Sequence, residues 1–259
     1  LELGAGPATG ASGIAAGEKF ASCGLPESAT WALIEQDKQF LKMGESWAAT
    51  YFESLGHKDW QVRPFHRTLD WTKPLLPRAA PKFHLWLMSY VLNEAQVSPE
   101  VLAKNLLKTW SNHLEEEGLA ILVEPALRME SRKILELRKW LIELQGKDPE
   151  FQILLPCMGH QVCGAFAKKD DWCHEEVRWW RPPYLRKIDS LAKLDRKSLP
   201  FSYLVVTRSR RPMTEILPGL AGSETRHRVV SPSHSEGRDW EFFMCGQEGK
   251  TRARTRQVE

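Results

Sequence analysis

The chain has 259 residues, 42% of them apolar, and a formal net charge of +3 at pH 7. That length suits one large domain, or a domain with a substantial appendage. No apolar run approaches a bilayer span, and a sum so near neutrality excludes a uniformly basic or acidic coat, so charge acts here through its distribution. No secretory leader is visible, and an odd number of cysteines, five in all, points to a reducing compartment rather than a disulfide framework.

In chain order, LELGAGPATGASGIAA reads as strand, glycine turn and helix. So few residues precede the turn that the sequence is expected to be a fragment lacking its upstream part. Gly4 and Gly6, with Ala5 between them, permit a tight turn and the close backbone approach that a nucleotide-like ligand needs. An acidic strand residue, Glu2, stands just before. The pattern is similar to the first motif of class I S-adenosylmethionine-dependent methyltransferases, which implies a glycine loop packed against the amino-acid part of that cofactor. A plain strand–helix turn would look much the same.

ATWALIEQDKQFLKMGESWA follows as an apolar strand ending at Glu35, then a helix. An acid at the end of a second strand is placed to hydrogen-bond ribose hydroxyls. Glu35 is the candidate and Asp37 the runner-up; either could instead be an acid favoured by the helix dipole. QVRPFHRTLDW offers a third strand or its loop, ending at Leu69–Asp70, where a carboxylate could accept from an adenine amine. FHLWLMSYVLNEA is a strong strand whose end, Ser89–Tyr90, is expected under the cofactor at the carboxyl edge. In VLAKNLLKTWSNHL the residues Val101, Leu102, Leu106, Leu107, Trp110 and Leu114 can share one helix face. LAILVEPAL and SRKILELRKWLIEL add a buried strand and an amphipathic helix. Strands alternating with helices predict an α/β, doubly wound, Rossmann-like parallel sheet over 1–150.

Composition changes across 151–259. After the strand FQILLP comes LPCMGHQVCGAFAKKDDWCHEE, with Cys157, Cys163 and Cys173. Cys245 lies far downstream in WEFFMCGQEGK, and Cys23 stands apart near the start. Four thiolates suit zinc or an iron–sulfur cluster. No CxxC pair is present, so this is not a zinc-ribbon spacing. His160 or His174 could replace a thiolate, and each cysteine could instead serve as a small buried hydrophobe. VRWWRPPYLRKIDSLAKLDRKSLP then interleaves Arg178, Arg181, Arg186, Lys187, Lys193, Arg196 and Lys197 with Trp179, Trp180 and Tyr184. That mixture suits RNA, cations on phosphates and rings on unpaired bases; a solvated helix with tryptophan anchors is the alternative. Its RPPY does not match the Asn/Asp-Pro-Pro-aromatic tetrad of amino-methylating enzymes in opening residue or position. FSYLVVTR is a strand. WEFFMCG and KTRARTR pair around Gly246–Gly249, which puts Lys250, Arg252, Arg254 and Arg256 on one strand face, as a phosphate contact or as an edge that resists aggregation.

Together, GAGPATG, IEQDK, SYVLNEA, ILVEPAL, the cysteine loop with DWCHEEVRWWR, FSYLVVTR and WEFFMCGQEGKTRAR resemble the methyltransferase-like family associated with assembly of the small ribosomal subunit. The resemblance spans nearly the whole chain. It implies S-adenosylmethionine bound near Glu2, Gly4, Ala5, Gly6, Glu35, Leu69, Asp70 and Ser89. It also implies a 4Fe–4S cluster on Cys157, Cys163, Cys173 and Cys245, with zinc as the alternative. The expected partners are small-subunit ribosomal RNA and an assembly intermediate, with no membrane, for a monomer in the bacterial cytoplasm or the mitochondrial matrix. Two activities stay open: methylation of ribosomal RNA, or a non-catalytic assembly factor whose metal centre is structural. No catalytic side chain stands out.

Overall fold

The computed structural model describes the chain except residues 18–23, 147–148, 159–161, 195–196, 217–226, 232–233, 237–238 and 257–259. Cys23, His160 and Arg196 therefore lie outside the described residues, as does the Arg256 side chain. The elements in order are β1 (Glu2–Leu3), α1 (Thr9–Gly17), β2 (Ser28–Glu35), α2 (Lys38–Ser54), β3 (Asp59–His66), β4 (Phe83–Ser89), α3 (Pro99–His113), β5 (Leu114–Pro125) and α4 (Arg128–Glu143). Then come β6 (Phe151–Leu155), β7 (Glu175–Arg178), α5 (Pro183–Leu191), β8 (Ser198–Arg208), α6 (Met213–Ile216), β9 (Arg228–Val229), β10 (His234–Glu236), β11 (Asp239–Gly246) and β12 (Gly249–Arg256). Among the described residues no helix is long and apolar enough to cross a membrane.

The main sheet runs β3-β2-β1-β4-β5-β8-β6, with β7 paired to β8. Strands β1 to β5 are mutually parallel, while β8 is antiparallel to β5, β6 and β7. This is a doubly wound, Rossmann-like order into which an antiparallel strand has been inserted before the last position. β6, β7 and β8 all come from beyond residue 150, so the composition change does not coincide with the edge of the sheet.

Strand alternation feeds two cores, one on each face. Trp86 and Met88 of β4 enter the larger core with Leu106 and Trp110 of α3 and Leu137 and Leu141 of α4. Leu87, between them, enters the other core with Trp31, Leu41 and Phe52. The α3 face differs from the periodicity in detail. Leu102, Leu106 and Trp110 are buried, but Val101 is exposed and Asn105, Thr109 and His113 are buried in addition. Each polar intruder has a partner: Asn105 donates to the Trp71 carbonyl at 3.0 Å, Thr109 accepts from the Leu75 amide at 3.0 Å, and His113 contacts the Ala80 carbonyl at 3.1 Å. They anchor the segment between β3 and β4, a task that apolar periodicity cannot announce.

A second sheet, β10-β11-β12 with β9 on β11, is antiparallel throughout. It contains Cys245, which stands opposite Lys250 on β12 and Arg228 on β9.

Helix α2 crosses the glycine turn at Gly44, whose ideal Cβ would lie 3.0 Å from Ala8 N, the Gly6 carbonyl oxygen and Pro7 C. All three are backbone atoms and cannot swing aside. Gly44→Val is expected to destabilise the fold by about 1–3 kcal/mol through overpacking, despite relieving glycine's helix penalty. Chemical denaturation measures it; an unchanged midpoint would show that the turn does not rest on α2 there.

Candidate functional site

Strand order reverses beside β1, between β2 and β4, and their carboxyl ends open on a cleft with about 470 Å³ of empty space. Open α/β sheets bind ligands at such a switch point. Gly4, Glu35, Leu69 and Tyr90 line it, and so do Arg67, Trp71 and Glu94, which sequence reasoning did not single out. Arg67 and Trp71 sit in irregular loop and Glu94 in a single short 3-10 turn, so neither period nor motif marks them.

The glycine turn is shaped from below. Gly4 adopts φ +60°, and a Cβ there would meet Val91 Cγ2 at 2.5 Å. Gly6, at φ +50°, faces open space. Ala5 is buried, its amide donating to the Ile34 carbonyl at 3.0 Å. Glu35 accepts from the Gly6 amide at 2.8 Å and the Asp37 amide at 2.9 Å. A carboxylate has about four acceptor sites, so Glu35 retains capacity for hydroxyl donors.

Other candidates have local duties. Glu2 is buried, accepts from the Gly10 and Ala11 amides at 3.0 Å each, and is not part of the cleft lining. It braces the start of α1, and burial pushes its carboxyl above the ordinary range. Asp37 is the N-cap of α2, accepting from Gln39 and Phe40 amides at 2.8 and 3.0 Å. β3 stops at His66, so Leu69 and Asp70 belong to the following loop. The exposed Asp70 carboxylate bonds Lys73 at 2.8 Å and the Thr72 amide at 3.0 Å, contacts that hold its pKa down to about 2. Asp70 is outside the cleft lining. Ser89 ends β4, and Tyr90 after it takes φ +58°.

The turn after β4 is clamped by a carboxylate that no motif flagged. Glu124 of β5 is 1% exposed, and its Oε1 accepts from the Val91 amide at 2.9 Å and the Leu92 amide at 2.7 Å. Among the described residues Oε2 meets no hydrogen-bond donor within bonding distance. Burial pushes this carboxyl upward, so the folded state holds its proton more tightly than the unfolded chain. Stability therefore falls as pH rises from the ordinary value of 4.5 toward the raised one. Glu124→Gln should flatten that decline, read as denaturation midpoint against pH. Glu124→Ala should cost about 1–3 kcal/mol by orphaning two amides. An equally steep pH decline in Glu124→Gln would locate the titration elsewhere.

The second feature is the cysteine loop. Cys157, Cys163, Cys173 and Cys245 are all free thiols and partly buried. Cys157 and Cys163 each raise the pKa of Cys173 and of Cys245, and Cys163 does the same to Cys157, so charge on any one is felt by others from both segments. Burial is the larger cause in each case and takes Cys173 to about 11. The loop touches the second sheet directly, since a Cβ on Gly164 would fall 2.2 Å from Lys250 N, the strand partner of Cys245. Lys250 also bonds Asp171 at 2.7 Å. From the first sheet, α4 grips the same loop through Arg132, which donates to the Lys168 and Asp171 carbonyls at 2.8 and 2.7 Å, and through the Arg128–Asp170 ion pair.

Two arginines reach the sulfurs. Arg138 of α4 is 2% exposed and its Nε donates to Cys157 Sγ at 3.1 Å; Arg228 of β9 lies 3.9 Å from Cys173 Sγ and pairs with Glu175. His174 lines a small cavity with Cys157, Cys173 and Tyr203, and stacks on Trp172. Among the described residues no group of three or more His, Cys, Asp or Glu could hold a metal ion as it stands.

The cationic row of β12 is met by carboxylates. Glu241, opposite Arg254 on the neighbouring strand, forms ion pairs with both Arg252 and Arg254, and Lys250 is bound to Asp171. A carboxylate placed across the ladder competes with any phosphate for these side chains.

A switch-point cleft with a glycine turn and an acid after the second strand defines a Rossmann-like protein with a second sheet fastened to it by a cysteine loop. This chain belongs to the family described as mitochondrial small ribosomal subunit Rsm22, whose model matches residues 1–257. It is thus one of a methyltransferase-like family associated with the small ribosomal subunit. No curated protein matches it significantly. Among solved structures it is similar to a methyltransferase from Pyrococcus furiosus, at 12% identity over 81% of this chain and 75% of the other, TM-score 0.41. A precorrin-6y C5,15-methyltransferase from Geobacter metallireducens gives 11% identity over 79% and 77%, TM-score 0.38. An S-adenosylmethionine-dependent methyltransferase from Clostridium acetobutylicum gives 11% over 100% and 66%, TM-score 0.32.

Proposed function

We propose that this chain binds S-adenosylmethionine in the switch-point cleft, carries a 4Fe–4S cluster on Cys157, Cys163, Cys173 and Cys245, and acts on small-subunit ribosomal RNA during assembly. The observation that carries the reading is the meeting, in one member of this family, of that cleft with four thiols that sense one another's charge.

For the cofactor, Gly4 and Gly6 leave room for close backbone approach, and Glu35 offers acceptors to ribose hydroxyls beside Leu69 and Trp71. The cofactor supplies an electrophilic methyl group. What the chain must add is orientation and exclusion of water, which for methyl transfer is most of the catalytic task. Tyr90, in its left-handed conformation at the cleft mouth, and the turn pinned by Glu124 would position an acceptor.

For the metal centre, the donor chemistry fits. Four thiolates around a dipositive core leave two net negative charges, and Arg138 and Arg228 bring two positive charges to the sulfurs. Arg138 Nε donates to Cys157 Sγ, and a guanidinium at that distance favours the ionised, metal-binding form of the thiol. The cluster would act as a structural clasp between the sheets, since its ligands come from both the loop and β11.

A second reading, a non-catalytic assembly factor, is favoured by the turn after β4. SYVL replaces an acceptor-binding tetrad there, and Glu124 already occupies two of its amides. Eukaryotic members would work in the mitochondrial matrix and bacterial ones in the cytoplasm, as monomers.

Calorimetry should show S-adenosylmethionine binding that weakens roughly tenfold or more in Glu35→Ala, the loss of charge-assisted hydrogen bonds; no heat with the unaltered chain would remove the cofactor. Protein purified without oxygen should be brown and contain about four irons, and Cys245→Ala should lose both. Zinc alone would indicate the alternative centre, and neither metal would end the claim. Binding to small-subunit RNA should weaken steeply with salt. Labelled methyl groups appearing in that RNA would decide for the enzyme, and none for the assembly factor.

A further inference from the structure

Helix α5 connects β7 to β8 and is assembled the wrong way round for a surface helix. A surface helix ordinarily buries its apolar stripe and shows its charges. Here the buried residue is Asp189, 6% exposed, in an ion pair with Arg181 at 3.0 Å. Tyr184, Ile188 and Leu191 are 65%, 54% and 78% exposed, and Trp180 just before the helix is 74% exposed. Among the described residues, none of these side chains joins an apolar core. The motif that the sequence suggests as an RNA surface therefore also exposes two aliphatic side chains, Ile188 and Leu191, which neither stack on bases nor meet phosphates.

The spacing is informative. Tyr184, Ile188 and Leu191 stand at i, i+4 and i+7, the anchor pattern of a helix laid into an apolar groove of another protein. Exposed cations border the stripe, Lys187 on the helix itself and Lys193 and Arg178 at its two ends. A groove complementary to this surface would be apolar along its floor and acidic at its rim. Aromatic and aliphatic anchors at the centre of a charged border also match how binding energy concentrates in protein interfaces.

We propose that α5 is a protein-docking helix whose Tyr184, Ile188 and Leu191 insert into an acidic-rimmed groove of a protein component of the small ribosomal subunit. The choice of particle rests on the family; the choice of a protein rather than RNA rests on the stripe.

The test uses the full chain with a photo-crosslinking phenylalanine analogue in place of Leu191, mixed with purified small ribosomal subunits. The expected result is a crosslink destroyed by protease and resistant to nuclease, mapping to an acidic stretch of a subunit protein. Its yield should fall about tenfold in Ile188→Ser and in Tyr184→Ala, both checked for unchanged circular dichroism. A nuclease-sensitive crosslink would overturn the proposal in favour of RNA. A crosslink to a second copy of the chain would overturn it in favour of self-association, and capture by vesicles of anionic lipid with no protein crosslink in favour of a membrane surface. No crosslink from this position, with the unmodified chain still co-sedimenting with subunits, would also overturn it. Failure to co-sediment at all would instead remove the small-subunit reading from which the probe was chosen, and this proposal with it.

Discussion

Tight turns and a helix start at the carboxyl edge of a parallel sheet leave amides without strand partners, and carboxylates answer them here. Glu2 holds Gly10 and Ala11, Glu35 holds Gly6 and Asp37, and Glu124 holds Val91 and Leu92. Buried amides without acceptors cost free energy comparable to a lost hydrogen bond or more, so these acids are what allow the loops to turn where they do. The cleft between them is a consequence. Glycines at Gly4 and Gly44 remove side chains that would otherwise fill it or push the turn away.

The same economy of charge organises the far side. Helix α4 presents its apolar stripe to the main core, while Arg128, Arg132 and Arg138 on the same helix reach the cysteine loop. The loop in turn meets β12 at Gly164 and Lys250. Thiols from segments far apart in sequence thereby come close enough to feel one another's charge, and Arg138 and Arg228 lie beside Cys157 and Cys173. Among the described residues this patch links two sheets that share no strand pairing. A metal centre there would transmit its presence or absence to both.

Legibility followed distance along the chain. The elements themselves were readable, because period two and period 3.6 are local. β2 ends at Glu35 and α2 begins after Asp37, as the acid and the helix pattern implied. The role of each acid was less readable. Glu2 and Glu35 look alike in sequence, each near a strand end, yet one braces a helix and the other lines the cleft. Asp70 is bound by Thr72 and Lys73, residues that are ordinary neighbours until the backbone curls. Glu124 sits in ILVEP, a stretch that reads as a plain buried strand, and only its opposition to the turn after β4 gives it a task.

The sequence by itself determined the alternation of strands and helices, the glycine turn and the cysteine spacing, since each follows from local sterics or from a repeating hydrophobic period. Tertiary structure alone decided which carboxylates face open space, that Glu241 engages the Arg252 and Arg254 guanidiniums, and that α5 shows its apolar side to solvent. Those outcomes depend on which remote residue arrives opposite, and no local rule encodes the identity of a neighbour that the fold brings from far along the chain.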